Sequence, residues 1–251
     1  MSDSKAHSKK VGFSTGALEC GDYRSALTWL RRHHFDTVEL SALRLTELRP
    51  LLRDLNNLPV SHFTYVSFHA PSSFEKAEER LVVKELEHVY KRGWNIIVHP
   101  DMIRMPALWR RFGKQLLLEN MDRRKPVGRT ADELELLFSE LPDARLCLDV
   151  AHARQLDTTL TELTDMVKRF GKRIAEVHIS ELDSDCKHQP MSWCAVNDYQ
   201  TLAWSSIASG VPVIIESMLN GQRAALRNDE YLLACDASHR SLRKKSKTHA
   251  K

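Results

Sequence analysis

Hydrophobic residues along this chain gather into eight short apolar runs, separated by amphipathic stretches of helix length. The clearest runs are Ser67-Phe68-His69, Ile96-Ile97-Val98-His99, Leu116-Leu117-Leu118-Glu119, Leu146-Cys147-Leu148-Asp149, Ala175-Glu176-Val177-His178 and Val213-Ile214-Ile215-Glu216. Unbroken runs of Val, Ile and Leu belong to parallel strands, because helices cover both of their faces. The pattern predicts strands over 11–14, 37–41, 65–69, 95–99, 115–119, 145–149, 174–178 and 213–216. Helices are predicted over 23–33, 46–55, 74–91, 106–112, 130–141, 160–170, 199–209 and 222–235. Leu81, Leu86 and Val89 lie near helical spacing, and Gly93 and Gly171 read as stops. Thr130-Ala131-Asp132-Glu133 reads as a capping box.

Eight strand–helix units with no linker between them predict one α/β domain, a (β/α)8 TIM barrel over residues 11–235. The 251 residues match the roughly 250 that such a barrel needs. In a closed barrel the carboxyl ends of all strands open onto one mouth, where active sites are built. Six of these runs end on His, Glu or Asp, so their chemistry is expected to meet there.

Charge changes this picture little. The formal net charge is +4, of which residues 1–10 carry +2 and residues 236–251 carry +5, leaving −3 on residues 11–235. The body is slightly acidic, and the two basic tails are expected to be disordered. Binding to a phosphate backbone wants a basic face on the folded body, so nucleic acid is not the favoured partner. No apolar stretch approaches the ~20 residues that span a bilayer, and the polar opening lacks a secretory signal, so a cytoplasmic enzyme is expected. Five cysteines without CxxC spacing suggest neither a disulfide framework nor a cysteine zinc site. No motif indicates a nucleotide cofactor, and nothing sets an oligomeric state.

The last four strands offer Glu119, Asp149, His178 and Glu216. Three carboxylates and an imidazole suit a hard or borderline divalent cation such as Mn2+, Mg2+, Co2+ or Zn2+. Without a cation, three buried carboxylates would repel one another and lose their hydration. The plainer reading, that each pairs with an Arg or caps a helix, serves for one of them but poorly for four. His69 and His99 also end strands and are expected to touch metal or substrate. His152 and His188 are additional candidates, evenly balanced against a structural role. Asn120 would hold a substrate hydroxyl or orient Glu119. Lys187 is a candidate anion partner against the commoner fate of a solvated loop lysine. Glu39 is expected either at the mouth or beside an Arg on the rim, and Asp101 in a turn. His33, His34, His62 and His88 read as surface residues.

Several strings resemble the xylose isomerase-like TIM barrel superfamily: Val38-Glu39-Leu40-Ser41, Ile97-Val98-His99-Pro100, Leu118-Glu119-Asn120, Leu148-Asp149-Val150-Ala151-His152 and Glu176-Val177-His178-Ile179-Ser180. That superfamily joins sugar isomerases and epimerases to endonuclease IV-like DNA-repair enzymes. In the sugar branch, the resemblance implies one ion held by Glu119, Asp149, His178 and Glu216, with Glu119 and Glu216 also passing the proton. In the endonuclease branch it implies a zinc cluster on His69, His99, Glu119, Asp149, His152, His178, His188 and Glu216. The chain departs from both branches after the seventh strand. Met191-Ser192-Trp193-Cys194 replaces a Gly-Glu-Gly segment, and Cys186 stands where the endonucleases carry an Asp.

The reading that follows is a divalent-metal-dependent isomerase or epimerase of a small sugar or hydroxy-carbonyl compound, with Glu119 and Glu216 moving the proton. The alternative is a zinc-cluster phosphodiesterase resembling endonuclease IV, and a further one is a non-catalytic barrel that binds its partner.

Overall fold

The structure, a computed structural model, describes residues 10–208 and 210–239. The barrel strands are β1 (Val11–Ser14), β2 (Thr37–Ser41), β3 (Tyr65–His69), β4 (Asn95–Val98), β5 (Leu116–Glu119), β6 (Arg145–Asp149), β7 (Ile174–Ile179) and β8 (Val213–Ile215). Each pairs in parallel with the next, and β1 closes the ring against β8 through Val11–Val213, Gly12–Ile214 and Phe13–Ile215. All eight strands are therefore paired on both edges, which leaves no open sheet edge. The fold is the (β/α)8 barrel expected from the eight runs. The tail expectations fall largely outside the described residues, although the last helix, Arg227–Ala237, runs two residues past 235.

Helices cover the outer face. The main core, with Val98, Leu118, Leu146, Leu148, Leu86, Trp109 and Phe170 among its members, lies between strands and helices. Alternation along the strands turns the intervening residues inward. Ile97, Leu117, Cys147 and Ala175 form a separate small apolar cluster inside the ring. Gly12 sits where β1 and β2 come too close for any side chain, since a Cβ there would lie 2.0 Å from the Thr37 carbonyl oxygen.

Local departures from the predicted elements have physical causes. The helix expected over 199–209 is instead Trp193–Gln200, because Ser192 caps it by accepting from the Ala195 N–H. Residues 204–206 form only a single 3-10 turn. A helix absent from the sequence reading, Val150–Leu156, follows β6 directly. Thr130 caps Ala131–Glu140 as expected, but the Glu133 carboxylate reaches back to the Arg129 N–H, one residue beyond a capping box. The 74–91 helix begins at Glu79, after a 3-10 turn at Lys76–Glu78. Among the described residues, no helix is long and apolar enough to cross a membrane.

Candidate metal centre at the barrel mouth

The carboxyl ends of β3 to β8 place His69, Glu119, Asp149, His178 and the adjoining His99 and Glu216 around one buried space. Donor atoms of Glu119, Asp149, His178 and Glu216 all lie within 4.8 Å of one another. Three further groups share members with this one, of which Cys147 and Glu176 with His178 lie deeper in the barrel. His69 and His99 join Glu119, while His152 and His188 join Asp149. Ligands about 2.1 Å from an ion stand about 3 Å apart when adjacent and about 4.2 Å when opposite, so this spacing suits a common cation.

Glu119 is the pivot. Its Oε2 lies 3.0 Å from His69 Nε2 and 3.3 Å from His99 Nε2. Its Oε1 lies 3.5 Å from His178 Nδ1 and 3.5 Å from His152 Nδ1. Both oxygens are thus turned toward imidazoles, on opposite sides of the carboxylate. Glu216 Oε2 lies 3.3 Å from His178 Nδ1 and 3.6 Å from His188 Nε2.

Tautomers decide what these contacts mean. His69 Nδ1 meets the Ala70 carbonyl oxygen at 2.8 Å, an acceptor only, so that nitrogen carries a proton. A neutral His69 would then aim the Nε2 lone pair at the Glu119 carboxylate. Either the ring takes a second proton or a cation lies between them. His152 likewise donates Nδ1–H to the Asn120 carbonyl at 2.8 Å, leaving Nε2 as its ligand atom. His178 Nδ1, Asp149 Oδ2, His99 Nδ1 and Glu39 Oε2 are buried without a hydrogen-bond partner. Buried polar atoms are ordinarily satisfied, and orphans gathered among carboxylates are what a divalent cation would resolve. The donor set therefore fits such ions.

Without a cation the groups titrate against one another. Burial works to raise the Glu119 carboxyl, but the surrounding imidazoles of His178, His69 and His99 outweigh it and hold it well below the usual range. Burial likewise works to raise the Glu216 carboxyl, and the His178 charge foremost outweighs it and holds it well below the usual range. Asp149 is raised to about 7, chiefly by burial. For His69, burial disfavours the cation, yet the Glu119 hydrogen bond and nearby carboxylates lift it to about 9. His188 is lowered to about 4 by burial. Pairs whose environments push them apart in this way are the mark of a functional site.

Each element supplies its residue for a local reason. Asp149 is the N-cap of Val150–Leu156, its Oδ1 accepting the His152 N–H at 2.7 Å, so the short helix also delivers His152. Asn120 clamps this turn, donating Nδ2–H to the Asp149 carbonyl and accepting the Asp149 N–H, both at 2.8 Å. It orients the backbone beside Glu119 and Asp149. His188 is held by the Ser180 hydroxyl at 2.7 Å, within a two-strand antiparallel ladder of Glu181–Leu182 and His188–Gln189. Lys187 precedes it but points to solvent, 3.6 Å from Asp185. Glu39 is fully buried with no Arg beside it; its Oε2 lies 3.1 Å from His178 Nε2. His33, His34, His62 and His88 are exposed.

The mouth opens into a cavity of about 480 Å3 lined by Ser14, Ser72, Asp122, Arg124, Lys125 and Met218 as well as the histidines and glutamates. The sequence reading missed the cationic pair. Its signal was the run Asp122-Arg123-Arg124-Lys125, one residue after the β5 Glu-Asn. Gly128 (φ +84°) folds that loop back, its carbonyl accepting the Met121 N–H at 2.8 Å. Lys125 binds Asp101 at 2.9 Å, and Arg124 binds Asp122 at 2.8 Å.

No family model matches the chain, and no curated protein matches it either. Solved structures do. The apo 3-keto-D-glucoside 4-epimerase of E. coli aligns with TM-score 0.59 at 13% identity, over 90% of this chain and 98% of that one. Endonuclease IV from Thermus thermophilus aligns with TM-score 0.57 at 16% identity, over 91% and 97%. A xylose isomerase-like TIM barrel protein from Mycobacterium smegmatis, solved with magnesium, aligns with TM-score 0.59 at 12% identity, over 87% and 89%. At such identities the likeness is one of fold alone, and that fold is the closed (β/α)8 barrel.

Proposed function

We propose that the protein is a multinuclear divalent-metal enzyme that hydrolyses a phosphodiester. The observation that carries this reading is Glu119, whose two oxygens face two separate imidazole groups. A glutamate that shuttles a proton needs one oxygen free for the substrate. This one has both engaged, as a carboxylate shared between neighbouring ions would. His69, His99, His152 and His188 exceed what a single ion needs and fill the two flanking groups.

Bound ions would supply an activated water and draw charge from a phosphoryl oxygen. The chain's own part is positional. Glu119 and Asp149 belong to more than one group and would fix the spacing between them. Asn120, Ala70 and Ser180 hold the second nitrogens or the backbone of the ligating residues. Arg124 and Lys125, each paired with an aspartate, line the rim and offer N–H donors to an anionic substrate. The slightly acidic body and a cavity of about 480 Å3 favour a small diester over duplex DNA.

The isomerase or epimerase reading keeps support from the four-residue group itself, which would hold one ion, and from a cavity of small-molecule size. Elemental analysis of protein purified in metal-replete buffer, with a bis(p-nitrophenyl) phosphate assay, separates the two. Two or three zinc or manganese ions per chain with diester cleavage support the hydrolase. One ion per chain, no cleavage and turnover of a ketose or hydroxypyruvate would overturn it in favour of the isomerase.

A further inference from the structure

Beneath the mouth, the barrel interior holds a polar column that the proposed reaction does not use. Glu176 is fully buried two residues before His178, so the pleat turns both side chains inward. Its Oε1 accepts from His178 Nε2 at 3.1 Å and from the Ser67 hydroxyl at 3.2 Å. Its Oε2 accepts from the Tyr65 hydroxyl. Tyr65 in turn accepts from Asn95 Nδ2 at 2.9 Å, and Asn95 Oδ1 accepts from an Arg145 Nη2 at 2.6 Å. Every donor in this chain points the same way, from Arg145 near the barrel floor up to the Glu176 carboxylate. Glu39 also approaches His178 Nε2 at 3.1 Å, but its Oε2 makes no aligned hydrogen bond.

We propose that Glu176 is a positioning residue that fixes the His178 tautomer. By accepting the Nε2 proton from below, it leaves the Nδ1 lone pair facing Glu119 and Glu216 at the mouth, and the Arg145–Asn95–Tyr65 chain holds the carboxylate in place. The inference rests on the mouth being a metal centre. Imidazole ligands are oriented and made more basic by an acceptor on the second nitrogen, and loss of that acceptor weakens metal binding about 10- to 100-fold. Here the acceptor is itself anchored through the ring of strands, so ligand geometry at one end depends on β3, β4 and β6 at the other.

The test compares Glu176→Gln and Tyr65→Phe with the unaltered chain. A glutamine amide can donate toward Nε2 and allow the proton to move to Nδ1. Nitrogen-15 spectra of the ion-free proteins, recorded at a pH high enough to leave the His178 ring neutral and assigned through His178→Asn, should show the Nε2–H form in the unaltered chain and its loss in Glu176→Gln. Calorimetric titration with zinc alone should give a Kd about 10- to 100-fold weaker in Glu176→Gln, and a smaller weakening in Tyr65→Phe. A merely structural role would lower Tm without moving tautomer or Kd. An unchanged tautomer and Kd in a folded Glu176→Gln would overturn the proposal; if that variant does not fold, Tyr65→Phe decides by the same readouts. If the unaltered chain takes up no zinc, the metal reading fails, while the tautomer measurement still judges Glu176.

Discussion

Glu79 and Glu119 are both buried carboxylates of the barrel, and their surroundings differ completely. Glu79 lies outside the ring of strands, at the start of its helix. Its Oε1 accepts the N–H groups of Arg104 and Met105 at 2.9 Å and the indole N–H of Trp109 at 2.8 Å. Neutral donors satisfy that oxygen and pin the 104–109 loop to the helix, while Oε2 is buried without a partner but, among the described residues, has no imidazole near it. Glu119 has no backbone donor; it faces four imidazoles and lies near two more carboxylates. Burial of a carboxylate therefore says little by itself. Donors with fixed protons make it a structural tie, whereas titratable neighbours with unshared electron pairs make it a site for cations.

The sharpest way to break this contrast is to neutralise each residue in turn. Glu119→Gln should lower the metal-dependent kcat/KM by at least about a thousandfold, roughly 4 kcal/mol of transition-state stabilisation, while Tm is unchanged or higher. A folded Glu119→Gln with full activity would remove the residue from the chemistry. Glu79→Ala should do the reverse. Urea unfolding should show a loss of about 3 kcal/mol, because the buried Trp109 N–H and two part-buried backbone N–H groups lose their acceptor, with kcat of the folded protein near normal. Normal stability in that variant would show that the loop does not depend on the tie.

Chelation should act only at the mouth. Removing the ions with EDTA is expected to cost on the order of 2–3 kcal/mol at free metal about a hundred times Kd, read as a lowered Tm that added zinc or manganese restores. Tm unaffected by chelator would argue against any bound ion. The smallest effect concerns the rim. Burial works to raise Asp122, but Arg124 outweighs it and holds the carboxyl at about 2. A depressed carboxyl stabilises the fold above its unfolded pKa near 4, and that contribution is lost as pH falls from about 4 to 2. Partial exposure of Arg124 screens it to about 1 kcal/mol, so Asp122→Asn should flatten acid unfolding in that window by no more than this.

Much of the barrel was legible because its code is local. Runs of four or five apolar residues cannot be anything but strands when amphipathic stretches of helix length separate them, and an ionisable residue at such a run's end announces a mouth. Glu119, Asp149, His178 and Glu216 were singled out this way, as were His69 and His99, and the structure brings them together. The 193–200 helix was missed because its Ser192 cap lies in a polar stretch without apolar periodicity. Val150–Leu156 was missed because Asp149 serves as strand end, ligand candidate and N-cap at once. Glu176 was in plain view beside His178, yet nothing in one strand says that Tyr65, Ser67 and Asn95 stand across the ring from it.

The sequence by itself determined the eight-fold alternation and which residues carry charge or imidazole at the strand ends, since both follow from side-chain periodicity along a single element. Only the tertiary structure decided which nitrogen each histidine presents, that Glu119 faces two groups rather than one, and that a hydrogen-bonded column backs His178. Those depend on shear and register around a closed ring, which bring residues a hundred positions apart to within about 3 Å and which no local pattern encodes.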